Sequence, residues 1–156
     1  MARTMTLTAL ITLFLDQVIK YYVLHVVQLE SLGSLQVVPG FFNLIMTWNR
    51  GVNFGLFAGD SDSTRWILIA VAVLICGFVI YWMRRETNTK ALFSAGLLLG
   101  GAFGNVIDRG LYGGVADFLN VTCCGLRNPY SFNVADITIF LGAIGLIFFA
   151  TDHKKT

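Results

Sequence analysis

Charged and amide side chains stand at four places where the surrounding sequence is apolar. Asp16 and Lys20 interrupt a hydrophobic stretch near the start of the chain, and Asn105, Asp108 and Arg109 fall in GNVIDR. Asp117 lies in GGVADFLNV, and Asn133 and Asp136 open the run NVADITIFLG. Ionisable residues in such settings are costly, and where they persist they usually serve a function. Asp117 is flanked by Val115-Ala116 and Phe118-Leu119 with no basic neighbour, so desolvation should raise its pKa. Two carboxylates held close share a proton. One can then take a proton from water while the other protonates a carbonyl, which hydrolyses a peptide without metal or covalent intermediate. The same acids could instead relay protons in a small transporter. Plainer roles also fit the spacing: Asp16 and Lys20 as an i,i+4 ion pair, Asp108-Arg109 as a charged helix end, and Asn133 with Asp136 as a helix cap with an acid at its third position.

Other chemistries find little support. His25 and His153 are expected near opposite membrane faces and cannot share a metal. The three cysteines, Cys76, Cys123 and Cys124, include no CxxC. No Ser-His-Asp or Ser-Lys arrangement is apparent, and the reading requires neither metal nor cofactor.

The elements that must carry these residues are membrane helices. Hydrophobic residues make up 56% of the 156 positions and charged residues 13%, about half the charge of a soluble domain, and the mean hydropathy is +0.71. Disorder and a nucleic-acid partner are thereby excluded. Four stretches approach the roughly 20 apolar residues of a span, at about 5–27, 66–83, 91–108 and 134–150. Arg3 before an apolar run resembles a secretory leader, but Asp16 and Lys20 interrupt that run, so it is kept as the first helix. With the N-terminus inside, Arg3, Arg84, Arg85, Lys90, Lys154 and Lys155 are cytoplasmic and Arg50, Arg65 and Arg127 external, which favours both termini inside. Loops 28–64 and 110–132 then face outward, and SLQVVPGFFNLIMTWN in the first reads as short strands around a turn at Pro39-Gly40. Gly96, Gly100 and Gly104 form a ridge for close helix packing. The expected fold is an all-α membrane protein, one domain over 1–156, a four-transmembrane-helix bundle with a small outer-face β element. In that topology Asp108, Arg109, Asp117, Asn133 and Asp136 converge on the outer side, and Lys20 approaches them. A transporter would instead place its acids near the midplane.

These stretches resemble the lipoprotein signal peptidases, the signal peptidase II family of bacterial membrane aspartic proteases. The likeness runs through Asp16-x-x-x-Lys20, TWNRGVNFGLF from Thr47 to Phe57, GGAFGNVIDR from Gly100 to Arg109, GGVADFLNV and FNVADITIFLG, in order along nearly the whole chain. One departure is Asn53, where the family often has Ala or Ser. The resemblance implies a diacylglyceryl-modified prolipoprotein as substrate, cut just before the lipidated cysteine, in the bacterial inner membrane. It implies Asp117 and Asp136 as the catalytic pair and Asn105, Arg109 and Asn133 as groups holding substrate and acids. Asn49, Gly51 and Phe54 would wall the outer loop, and Asp108, Asp16 and Lys20 would support the site. It further implies contact with membrane lipid, inhibition by globomycin and no cofactor.

Overall fold

The protein is described by a computed structural model covering residues 2–51, 61–122 and 128–150. Phe54, Asn53, Cys123, Cys124, Arg127, His153, Lys154 and Lys155 lie outside these described residues. Helices α1 (Ala2–Tyr21, prolonged by a π-helical turn Tyr22–Val26), α3 (Ser61–Met83), α4 (Thr89–Tyr112) and α5 (Val134–Phe149) form the body of the molecule. A single turn, α2 (Leu29–Leu32), leads into strands β1 (Ser34–Val38) and β2 (Phe42–Asn49), and β3 (Val115–Val121) lies between α4 and α5.

α4 is the axis. Its first turn is closed by the Asn88 side chain, which accepts from Lys90 N at 3.0 Å, and Gly113 ends it in the left-handed conformation at φ 76°. The expected glycine ridge packs on α1. A methyl at Gly96 would lie 2.5 Å from Thr8 Cβ, one at Gly100 would lie 2.6 Å from Ala9 O, and one at Gly104 would land on the Asp16 carboxylate. The opposite side of α4 receives α5 just as closely, with Gly101 against Ala135 O and Gly142 against Ser94 O, both at 2.6 Å from a built Cβ. Only backbone-to-backbone approach of this kind lets three helices share one narrow core without bulky fillers. α3 joins through Cys76, Val79 and Met83, which bury against Leu92, Ala95 and Leu99 of α4. Gly104→Ala should therefore destabilise by about 1–3 kcal/mol through overpacking, read as a lowered thermal midpoint in detergent. Gly77→Ala, whose added methyl meets nothing, should be neutral or slightly stabilising.

The helices turn Leu10, Phe14, Leu74, Phe78, Phe140 and Ile147 outward, as helices surrounded by lipid do. Arg3–Val26, Asp62–Met83 and Thr89–Tyr112 are long and apolar enough to cross a membrane. The fourth expected span, 134–150, is an apolar helix of 16 residues, about 24 Å of rise and shorter than the usual minimum.

The strands expected in loop 28–64 form, with the turn at Pro39-Gly40 between them. Within loop 110–132, for which no element was expected, β3 completes an antiparallel sheet of order β1-β2-β3. Its burial shows no alternation, being covered at nearly every position, so the period-two signal of a half-exposed strand is missing. A bulge in β2 between Leu44 and Thr47 sets Thr47 opposite Asp117. Phe118 of β3 is buried with Val23 and Leu29, which fixes the sheet over the end of α1.

Candidate active site

Three element ends meet under the sheet. α1 and α4 run parallel, with Met5 near Gly96 and Asp16 near Gly104, while α5 runs back along α4 from Ala135 at Gly101 to Gly145 at Ser94. The last turns of α1 and α4, the first turn of α5 and strand β3 consequently share one end of the bundle.

Asn133 is the hinge between the two acids. The chain returns past β3 through Phe132, whose N–H donates to Leu119 O at 2.9 Å and whose carbonyl accepts from Leu119 N at 2.8 Å. This pairing delivers Asn133 beside Asp117. The Asn133 side-chain amide donates to Asp117 Oδ1 at 2.6 Å and to Asn105 Oδ1 at 3.3 Å. Its oxygen accepts from Asp136 N at 2.9 Å, while its own N–H donates to Asp136 Oδ2 at 3.1 Å. The expected helix cap is therefore real, a reciprocal capping box, and the same residue ties both carboxylates together. Capping and a place beside Asp117 were alternatives in the sequence; in the fold Asn133 has both.

The remaining lone pairs are also supplied. Asn49 Nδ2 donates to Asp117 Oδ2 at 3.1 Å, and Asn105 Nδ2 donates to Asp136 Oδ1 at 3.0 Å. Asp117 is buried and Asp136 half-buried. Burial, helped by the neighbouring Asp136 charge, lifts the Asp117 carboxyl to about 6 against the opposing hydrogen bonds of Asn49 and Asn133 and the charge of Lys20. The rise expected from its apolar sequence neighbours is thus present.

A cleft of about 610 Å³ opens onto Asp117, walled by Thr47, Trp48, Asn49, Gly51, Leu68, Arg109 and Tyr130 among others. Arg109 is near enough to Asp117, Asp136 and Asp108 to feel all three charges; its Nη1 donates to Asn105 O at 3.4 Å, and its buried Nε has no partner among the described residues. Asp136 is not among the residues lining this cleft. Asp16, Lys20 and Asp108 come together behind the acids rather than in the cleft. Lys20 Nζ lies 2.9 Å from Asp16 and 2.7 Å from Asp108, so the expected intrahelical pair is one half of a three-residue cluster.

Every described candidate from the sequence is therefore in this region. Gln17 was not singled out, although it donates to both Asp16 and Asp108, at 3.2 and 3.1 Å. Its place beside Asp16 within an apolar run was the available signal. Tyr130 and Trp48 were also missed as wall residues. Trp48 Nε1 donates to Glu30 at 3.1 Å, and its ring lies tilted against Tyr112 with centroids 5.4 Å apart, contacts between segments that spacing does not reveal.

The arrangement is a pair of linked carboxyl groups, one protonatable near neutrality, beside a cleft at the end of a helical bundle. The sequence model of signal peptidase (SPase) II matches residues 8–151. A lipoprotein signal peptidase of Rhodopseudomonas palustris is 37% identical over 145 residues, covering 91% of this chain and 88% of that protein. One from Methylobacterium sp. is 41% identical over 140 residues, covering 90% and 84%. A solved bacterial membrane enzyme, determined by the in meso method at 1.9 Å resolution, superposes with a TM-score of 0.78 at 28% identity, over 97% of this chain and 94% of that one. With the match running from within α1 to beyond α5 and taking in Asp16, Asp117 and Asp136 alike, this chain belongs to the signal peptidase II family.

Proposed function

We propose that the protein is a membrane aspartic endopeptidase that removes the signal peptide from diacylglyceryl-modified prolipoproteins, cutting before the lipidated cysteine. The observation that carries this reading is the Asn133 bridge, which holds Asp117 and Asp136 as one unit. The whole chain is one peptidase domain of four spans in the bacterial inner membrane, both termini cytoplasmic, with the acids at the outer face. A signal peptide has its charged end inside and its cleavage site outside, so a protease for it needs acids at that boundary. A proton-coupled transporter would spread its acids along a path through the midplane, and no feature of the site favours one.

In the proposed reaction Asp136 is the base. It sits at the third position of α5 and accepts hydrogen bonds from Asn105 Nδ2 and Asn133 N. Asp117, buried on a strand, holds the proton. Asp136 takes a proton from water as the oxygen attacks the scissile carbonyl carbon, and Asp117 passes its proton to the carbonyl oxygen. The gem-diol then collapses: Asp136 protonates the leaving cysteine nitrogen, the C–N bond breaks, and Asp117 recovers a proton from one gem-diol hydroxyl as its oxygen re-forms the carbonyl of the product acid. Arg109, Asn49 and Gly51 would line the substrate's path with Phe54, membrane lipid would border it, and globomycin would occupy it.

The direct test is incubation of the purified protein with a diacylated prolipoprotein, expecting a released signal peptide. Retention of full-length precursor by folded protein would overturn the reading. The pH profile has a definite sign. Asp117 must be protonated and its carboxyl is raised to about 6, so kcat/KM should fall as the pH rises through that region, since this parameter reports the free enzyme. A profile flat across that value would contradict the assignment of the proton to Asp117.

A further inference from the structure

Behind the acids lies a charged cluster that the hydrolytic steps do not use. The buried Lys20 ammonium meets the buried Asp16 and Asp108 carboxylates, and its third donor goes to Asn105 Oδ1 at 3.2 Å. All three of its hydrogens are thereby committed. Buried ion pairs are weak evidence for stability, because well-packed apolar groups often replace them without loss. The cluster's service to the fold therefore lies in what else its carboxylates hold.

Asp108 Oδ2 accepts from Ala116 N at 3.4 Å, and Asp16 Oδ1 accepts from Ala135 N at 3.1 Å. Ala116 immediately precedes Asp117, and Ala135 immediately precedes Asp136. The Ala135 amide belongs to the first turn of α5, where the helix itself offers no acceptor. One ammonium thus joins two anchors, each gripping the backbone just before one of the acids. It also orients Asn105: with Oδ1 turned to Lys20, the Nδ2 group points to Asp136 Oδ1.

We propose that Asp16, Lys20 and Asp108 are positioning residues that set the gap between the Asp117 and Asp136 carboxyl groups by holding the backbone amide preceding each. The proposal rests on the reading of those acids as the catalytic pair. None of the three lines the cleft, so they act on the chemical step and not on substrate affinity. Misplacing reacting groups by about 1 Å can cost about 10²-fold in rate.

The test uses Asp108→Asn and Asp16→Asn separately in the full-length protein, with rates expressed per globomycin-binding site so that unfolded material drops out. In each, kcat on a diacylated precursor should fall about ten- to hundredfold, with KM and globomycin affinity within about threefold of the parent. The alkaline limb should also move to lower pH, because a more distant Asp136 raises Asp117 less. The charged groups facing Asp117 are Asp136 from α5, Arg109 from α4 and Lys20 from α1. Each substitution also deletes an anion paired with Lys20, which lowers Asp117 in the same direction. The moved limb therefore counts only beside the fall in kcat, and Gln17→Leu, which changes no charge, isolates the geometric part. Should either variant fail to fold, Gln17→Leu, which removes the amide bridge and leaves every charge in place, should still lower kcat at unchanged KM. Variants with a lowered thermal midpoint but unchanged kcat per site and unchanged limb would overturn the proposal, as would a loss confined to KM. The acid pair itself is judged by Asp136→Asn, so failure of the two ideas can be told apart.

Discussion

Asp136→Asn is expected to lower turnover by at least about a hundredfold while the protein stays folded, and Asp117→Asn to do the same. Each acid or base contributes typically 10²–10⁴-fold, and groups acting as a unit lose most of their effect when either is removed. The double substitution should therefore cost little beyond the first. Stability should change little, because Asn keeps the size of Asp and one acceptor, and serves nearly as well near a helix start. At position 136 the retained oxygen can still take the hydrogen bond from Asn133 N or from Asn105, though not both. If the residue served only the capping box, activity would survive with at most about 1 kcal/mol of lost stability. Initial rates of signal-peptide release beside thermal unfolding in detergent separate the cases. A folded Asp136→Asn protein cleaving at near-parental rate would remove the acid-pair mechanism.

The unlipidated precursor should be cleaved at least about a hundredfold less efficiently than its diacylglyceryl form. A hundredfold is about 2.7 kcal/mol, no more than the burial of three or four methylenes at ~0.8 kcal/mol each. The sheet offers apolar surface for such contact: Leu35, Val37, Val38 and Phe41 are all exposed beside the cleft-bearing β2. The lipid would also hold the modified cysteine at the membrane boundary, an orientation effect expected to raise kcat as well as lower KM. Competition between the two precursors, quantified by released peptide, gives the ratio. Equal kcat/KM for both would mean that the peptide alone is read.

Much of the site was legible because charge in an apolar run is visible without knowing the fold. Asp117 and Asp136 stood out for that reason, and the alternation of span direction alone brought them to one side. Asn133 was readable as a cap from its spacing to Asp136, but its grip on Asp117 was not. That contact depends on Phe132 pairing with Leu119, and nothing local marks this pairing. β3 was not anticipated because a strand covered on both faces loses its alternation. Asp108 read as a helix end because its partner Lys20 lies far back in the sequence, and only the absence of side chains at Gly104 and Gly100 lets α1 approach closely enough to join them. The family resemblance supplied Asn49, which composition and spacing would have left as an ordinary loop amide.

Helix ends ordinarily fray at almost no cost, opening and reclosing while the rest of a protein stays intact. The start of α5 does not have that freedom, since the side chain that closes its first turn also binds Asp117. Each opening of that turn separates the acids, so the momentary fraction of working enzyme is the fraction in which the turn is shut. Heat or detergent that loosens this turn would silence the enzyme well before the bundle comes apart. A ligand spanning both acids would slow hydrogen exchange at the Asp136 amide without touching it.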